Sequence, residues 1–316
     1  MKKPKLFLAP CADLTTPALR REIRRLSKDV ILFSEMISAS SLLRGGLRND
    51  YLVKKHDFDD PISFQLIGND PSVMARAAEK LEANLPYSVD INMGCSAPEI
   101  RARGWGSALM ADQTLAAKIV RECRKKVKTL SVKCRAGFER SDYDNLFSFV
   151  KMLKDEGADF VSLHPRASDI AFKRSADWLL TERLVSENMI TVIGNGDIKT
   201  ADEALMRIGS SPDGIMIGRA AVKMPWIFAE IEAVSNSAAY TVNIEDSALN
   251  VLSGIEELLP VEIRESRILK YCVYFCQNLK FGHALFTEIR RNPFSAAEMI
   301  RSYFERNPLE KIINRN

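Results

Sequence analysis

The sequence predicts an α/β fold: a (β/α)8 TIM barrel followed by a small C-terminal helical domain. Three observations carry that prediction. Short apolar runs alternate with stretches of helical periodicity, eight runs in about 220 residues with a crossover after each, which favours a closed barrel over a doubly wound sheet. No G-x-G-x-x-G follows the first run, which counts against a dinucleotide-binding sheet. Polar residues gather at the carboxyl ends of the runs, the end at which a barrel carries its site.

The strand-like runs are Leu6–Pro10, Val30–Met36, Ile62–Ile67, Val89–Met93, Leu130–Arg135, Phe160–His164, Ile190–Asn195 and Gly214–Arg219. Each is short, apolar and bounded by turn residues, as expected of strands buried on both faces. Helical periodicity covers Thr16–Lys28, Pro71–Asn84, Asp112–Lys126, Asp142–Glu156, Trp178–Glu187 and Thr200–Ile208, while the segment between the second and third runs is less regular. Asp70-Pro71 and Lys199-Thr200 offer helix starts, and Glu156-Gly157 offers a stop. From about Ser235 the alternation ends and the rest reads as helices only. That places a barrel in residues 1–235 and a second domain in 236–316.

A chain of 316 residues with 46% hydrophobic and 27% charged residues has the composition of a globular protein. No apolar run approaches the roughly 18 residues of a membrane helix. The basic start, Met1-Lys2-Lys3-Pro4-Lys5, leads into an apolar run too short for a secretory signal. Six cysteines without a C-x-x-C pair point to reduced thiols and a cytoplasmic protein, not to a disulfide framework or a metal site. A net charge of +4 permits an anionic partner without demanding one.

The chemistry centres on Ser88–Met110, where an apolar run breaks at Gly94, presents Cys95, and continues as a loop rich in Gly and Arg. A free cysteine at a strand end is more often a small apolar residue than a catalyst. The other strand ends argue otherwise: Glu35, Gln65, Asn92, Lys133, Arg135, His164 and Asn195 all fall on the face that a closed barrel gathers together. Gly194-Asn195-Gly196-Asp197 and Gly218-Arg219-Ala220 follow the last two strands, where barrels bind phosphate through close backbone approach. As plain tight turns they need no ligand.

Several motifs together resemble those of the tRNA-dihydrouridine synthases. They are Ala9-Pro10, Gln65, Asp90-Ile91-Asn92-Met93-Gly94-Cys95, Gly106-Ser107-Ala108-Leu109-Met110, Lys133-Cys134-Arg135-Ala136-Gly137, His164-Pro165-Arg166, Gly194-Asn195-Gly196-Asp197 and Gly214–Arg219. The resemblance runs from about Leu6 to Phe228 and continues more weakly into the helical tail. It departs at Cys11, where the family has Met, at Ser96, where it has Pro, and at Lys223-Met224. The resemblance implies an FMN-containing barrel that reduces uridines in tRNA with NADPH (or NADH) as reductant. It also implies that Ala9, Pro10, Gln65, Lys133 and His164 contact the flavin, with Asn195, Gly196, Asp197, Gly218 and Arg219 around its phosphate. Asn92 and Arg166 become candidates for uracil contacts.

Reducing the C5–C6 bond of uracil requires a hydride at C6 and a proton at C5. Flavin supplies the first, and a thiol with a reference pKa of about 8.5 suits the second, which makes Cys95 the expected general acid. The target base must leave the RNA fold to reach a buried flavin. Arg101 and Arg103 are candidates to hold RNA phosphates, with a solvated loop as the alternative. Tyr271, Tyr274, Phe275 and Phe281 repeat at helical spacing and read as core of the tail. The runner-up function is an FMN barrel acting on a free pyrimidine or small enone. A monomer is expected, since no long apolar helix signals an obligate dimer.

Overall fold

In the computed structural model, residues 5–45, 47–139, 143, 145–168, 175–209 and 212–315 are described. The basic residues before Lys5 and the expected helix start at Asp142 lie outside them. Eight strands form one parallel sheet: β1 (Lys5–Leu8), β2 (Leu32–Ser38), β3 (Ile62–Ile67), β4 (Ser88–Met93), β5 (Leu130–Gly137), β6 (Phe160–Ala167), β7 (Thr191–Asn195) and β8 (Gly214–Ile217). Their order is β1-β8-β7-β6-β5-β4-β3-β2. Closure comes from the segment before β2, where Leu8 N–H donates to the Ile31 carbonyl at 3.0 Å and Ile31 N–H donates to that of Leu6 at 2.9 Å. The fold is therefore a (β/α)8 barrel, as the alternation predicts.

The helices form where caps and periodicity place them. Asp70 accepts from the backbone N–H groups of Ser72 and Val73 to start Pro71–Glu82, and Asp112 caps Gln113–Arg124 through Leu115. Gly157, in the left-handed region, follows the helix Leu146–Asp155. The irregular stretch after β2 folds as two short helices, Ala39–Arg44 and Leu47–Val53.

The lumen is built from alternate strand residues. Phe7, Ile31, Phe33, Phe160, Ile193 and Met216 form an apolar cluster inside the barrel, with Tyr87 against it. Ser63, Gln65, Ser88, Asp90 and Ser131 are also buried, but polar.

Two expectations are corrected. Strand eight ends at Ile217, because Gly218 breaks it and Arg219 opens the helix Arg219–Lys223. The tail is not helices only: β9 (Tyr240–Asn243) and β10 (Ile312–Arg315) pair antiparallel around its helices. Each is four residues long with a partner far away in sequence, so no local pattern declares the pair. The tail helix Ile244–Leu258 packs on the barrel helix Pro17–Leu26 so closely that a Cβ on Gly254 would stand 2.9 Å from Ala18 Cβ. Arg21 and Glu257 pair across this seam at 2.5 Å. Among the described residues no helix is long and apolar enough to cross a membrane, and no cluster of His, Cys, Asp and Glu is fit to hold a metal.

Candidate active site

A cavity of about 640 Å³ opens at the carboxyl ends of the strands, in the roughly 300–1,000 Å³ range of small-molecule and cofactor sites. Most of the expected site residues line it: Ala9 and Pro10 after β1, Asn92 and Cys95 after β4, Lys133 on β5 and His164 on β6. Asn195, Gly196 and Asp197 line it from the turn after β7, and Gly218 and Arg219 from the turn after β8. Cys95 and Lys133 thus face one space.

The Cys95 turn is held from several sides. Asn92 Oδ1 accepts from the N–H groups of Gly94 at 3.1 Å and Cys95 at 2.9 Å. The Cys95 carbonyl accepts from Ser107 N–H at 2.9 Å, and Arg135 Nε donates to the Gly94 carbonyl at 2.8 Å. Gly106 makes this return possible: its φ is +61°, and a Cβ there would lie 2.6 Å from the Cys95 carbonyl oxygen. No disulfide is formed by the six cysteines, and Cys95 and Cys11 are the two that are partly exposed.

Behind Asn92 the hydrogen bonds continue into the lumen. Asn92 Nδ2 donates to Gln65 Oε1 at 2.8 Å, Gln65 Nε2 donates to Asp90 Oδ2 at 2.8 Å, and Ser131 Oγ donates to Asp90 Oδ1 at 2.6 Å. Gln65 is fully buried and does not line the cavity, so the structure places it as support for Asn92. Burial pushes the Asp90 carboxyl up to about 6, against the hydrogen bonds from Ser131 and Gln65 and the charge of Lys133.

Lys133 is partly buried, and its ammonium makes no hydrogen bond or ion pair to any described residue. Its pKa is lowered, first by burial and then by Arg135. His164 is held well below its ordinary value by burial and by Lys133, Arg135, Arg166 and Arg219, so the imidazole is neutral near pH 7. Its Nε2 lies 3.4 Å from Arg166 Nη1. A guanidinium can only donate, so Nε2 accepts and the proton sits on Nδ1.

Arg166 is buried and ion-paired with Asp197, whose carboxylate also accepts from Ala176 N–H at 2.8 Å. It is not part of the cavity lining. Asn195 uses its side-chain amide to donate to the Met216 carbonyl at 2.7 Å, tying β7 to β8. Arg101 and Arg103 also stay outside the lining. Arg101 stacks over Phe138 at 4.2 Å and Arg103 over Trp105 at 5.3 Å.

The lining also holds residues that sequence reasoning left out. Arg135 stood in the strand-end pattern without a role, whereas Lys199 and Lys223 follow the two glycine turns. Tyr274 and Gln277 come from the tail. The aromatic repeat there divides: Tyr271 and Phe275 are core, as the spacing suggests, Tyr274 reaches the cavity and Phe281 is exposed.

Fold and site define a class, a (β/α)8 barrel whose cavity at the strand tips is lined by several cations and two thiols, Cys11 and Cys95. The chain belongs to the dihydrouridine synthase (Dus) family, whose model matches residues 7–270. It is 31% identical over 269 residues to "Probable tRNA-dihydrouridine synthase" of Aquifex aeolicus (strain VF5), covering 83% of each chain. It is 31% identical over 230 residues to "tRNA-dihydrouridine synthase B" of Pseudomonas aeruginosa, covering 72% of this chain and 69% of that one. A human protein, "tRNA-dihydrouridine(47) synthase [NAD(P)(+)]-like", is 33% identical over 231 residues, which are 72% of this chain and 35% of the human one.

Proposed function

We propose that this protein reduces uridine to 5,6-dihydrouridine in tRNA, with FMN as cofactor, NADPH as reductant and Cys95 as the proton donor. The observation that carries the reading is the shared cavity of Cys95, on a tightly held turn, and Lys133, whose ammonium has no hydrogen-bond or ion-pair partner among the described residues. A partly buried cation with no described protein partner calls for an anionic or acceptor-rich ligand. Arg135, Arg219, Lys199 and Lys223 add to it, while Asp197, the one acidic lining residue among those described, is neutralised by Arg166. This donor set fits FMN, an acceptor-rich ring carrying a phosphate.

A flavin bound there would supply the hydride chemistry at C6 of the uracil, with NADPH as its source of electrons. Lys133 and His164 Nδ1–H would hold the ring, and Arg219 with the Gly196 and Gly218 turns would hold the phosphate. The cationic wall lowers the cost of negative charge developing towards the uracil O4. Cys95 Sγ–H transfers its proton to C5, and the thiolate it leaves is reprotonated from solvent. The Asn92, Ser107 and Arg135 contacts keep that sulfur in place without using its proton. RNA phosphates would meet Arg101, Arg103 and the lysines at the mouth, after the target base has been drawn out of the fold.

No feature favours a free pyrimidine as substrate. Deleting the tail does not separate the two readings, because Tyr274 and Gln277 form part of the cavity wall. The test is to identify the bound flavin by mass spectrometry and to map dihydrouridine in RNA from cells lacking the protein. The expected result is FMN in the purified protein and loss of dihydrouridine at defined tRNA positions. An unchanged map, or protein that takes up no flavin, refutes the proposal.

A further inference from the structure

The reaction uses the strand tips and leaves one wall of the cavity without a task. That wall is the tail helix Val261–Phe275 and the turn after it, which contribute Tyr274 and Gln277. Arg267, Lys270, Tyr274 and Gln277 follow one another at intervals of three, four and three residues, the spacing of one helix face. The face is anchored at its amino end. Arg267 reaches Asp13 Oδ1 at 2.5 Å and donates to Tyr51 Oη at 3.2 Å, while Lys270 pairs with the other Asp13 oxygen. Asp13 N–H in turn donates to Glu35 Oε2, midway along β2, at 2.7 Å. Past the helix, Asn278 Nδ2 donates to the Lys223 carbonyl at 2.7 Å. The opposite face is core, with Tyr271 and Phe275 stacked at 5.9 Å.

Tyr274 sits between these two fastenings, about 6 Å along the axis from Lys270. Its ring is half-buried, and its hydroxyl has no hydrogen-bond partner among the described residues. Gln277 Nε2 donates to the Val273 carbonyl, and its side-chain oxygen accepts from no described residue. The ring packs against the core on one side, while its hydroxyl, bonded to no described residue, remains available to a ligand in the cavity.

The position selects which ligand. The strand tips form the floor, where a flavin would rest, whereas the tail helix stands outside the strands and packs against the helix Arg219–Lys223 that follows β8. Round the barrel, the β8–β1 side that Tyr274 adjoins lies across the lumen from β4 and Cys95. A base entering from above would have the thiol on one side and the phenol on the other. We propose that Tyr274, assisted by Gln277, is a substrate-positioning residue that contacts the extruded uridine nucleotide, not the cofactor. This inference rests on the proposed function.

The test uses the full-length, flavin-loaded protein and an unmodified tRNA transcript. Tyr274→Ala raises both KM and the Kd from fluorescence anisotropy roughly tenfold, the scale of losing one base–aromatic contact. Tyr274→Phe recovers part of that loss, and Gln277→Ala raises KM about twofold or more. Flavin stoichiometry and RNA-free flavin reduction by NADPH stay as in wild type. Unchanged KM and Kd in Tyr274→Ala and Gln277→Ala overturn the assignment, as does flavin loss in step with the defect. Gln277 is solvent-exposed, so its variant decides the matter should Tyr274→Ala fail to fold. Wild-type protein that binds the transcript but reduces none of it refutes the proposed reaction instead, and the anisotropy comparison still judges Tyr274.

Discussion

The two halves of the barrel lumen are made of different material. On the side of β1, β2 and β8 the inward residues are Phe7, Ile31, Phe33 and Met216, joined by Phe160 of β6 in one apolar cluster. On the side of β3, β4 and β5 the corresponding positions are Ser63, Gln65, Ser88, Asp90 and Ser131, all buried. Barrel interiors are ordinarily filled by bulky branched apolar side chains, so the apolar half needs no special account and the polar half does. A buried polar group left unbonded costs about 1–3 kcal/mol. Here nearly every one is bonded to the next: Ser63 to Ser88 at 2.7 Å, Ser88 to Ser131 at 3.2 Å, Ser131 to Asp90, Asp90 to Gln65, Gln65 to Asn92. Apolar packing resists compression but does not orient a dipole. A hydrogen-bonded row does, and this one ends on the backbone of Cys95. The wired half aims a reactive group, and the greasy half gives it a floor to stand on.

Breaking the end of that row gives the largest effect. Cys95→Ala lowers tRNA uridine reduction by about 10²- to 10⁴-fold, the usual weight of a general acid, while NADPH still reduces the flavin. Stopped-flow absorbance separates the two half-reactions, and survival of both at wild-type rates removes the thiol from the mechanism. Gly106→Ala comes next. It forces a side chain into left-handed backbone at a cost of about 1–2 kcal/mol and crowds the Cys95 carbonyl. We expect a lowered melting temperature together with a reduction rate that falls while flavin affinity holds. A variant with wild-type turnover shows that the turn does not set the position of the thiol.

A third variant, read through stability and not through turnover, tests the row itself. Burial raises the Asp90 carboxyl to about 6 in the folded state, above the roughly 3.9 of an exposed aspartate. Its contribution to stability is therefore fully present below about pH 4 and is lost as pH rises through about 6, on the order of 3 kcal/mol in all. Asp90→Asn keeps a hydrogen-bonding group at this place without the charge. Relative to wild type it gains stability as pH rises from 4.5 to 7.5, measured by urea denaturation. A difference that is flat across that range shows that the carboxylate carries no burial penalty.

Much of this half was legible in the chain. Asp90, Asn92 and Cys95 stand at a strand end followed by glycine, and Lys133 and His164 recur at the ends of the next two strands, a pattern of period two and position. What each side chain touches was less so. Gln65 and Asn92 read as ligand contacts, yet both spend their amides on each other and on neighbouring backbone or carboxylate, a choice made by packing between strands. Tyr274 shares the helical spacing of Tyr271 and Phe275, and contacts far off in sequence, with Asp13, Tyr51 and Lys223, settle which face of that helix turns to the cavity. The pairing of β9 with β10 was invisible for the same reason of distance.

That pair brings together the segment leading into the tail and the one closing it, with Thr241 bonded to Asn314 across 73 residues at 2.9 Å. Arg315 then reaches back to Glu230 and Asp202 on two barrel helices. The helical unit is thus hemmed at both borders and does not dangle by a single thread. Peeling it away from either margin means tearing the other seam too, so its helices share one fate instead of fraying in turn.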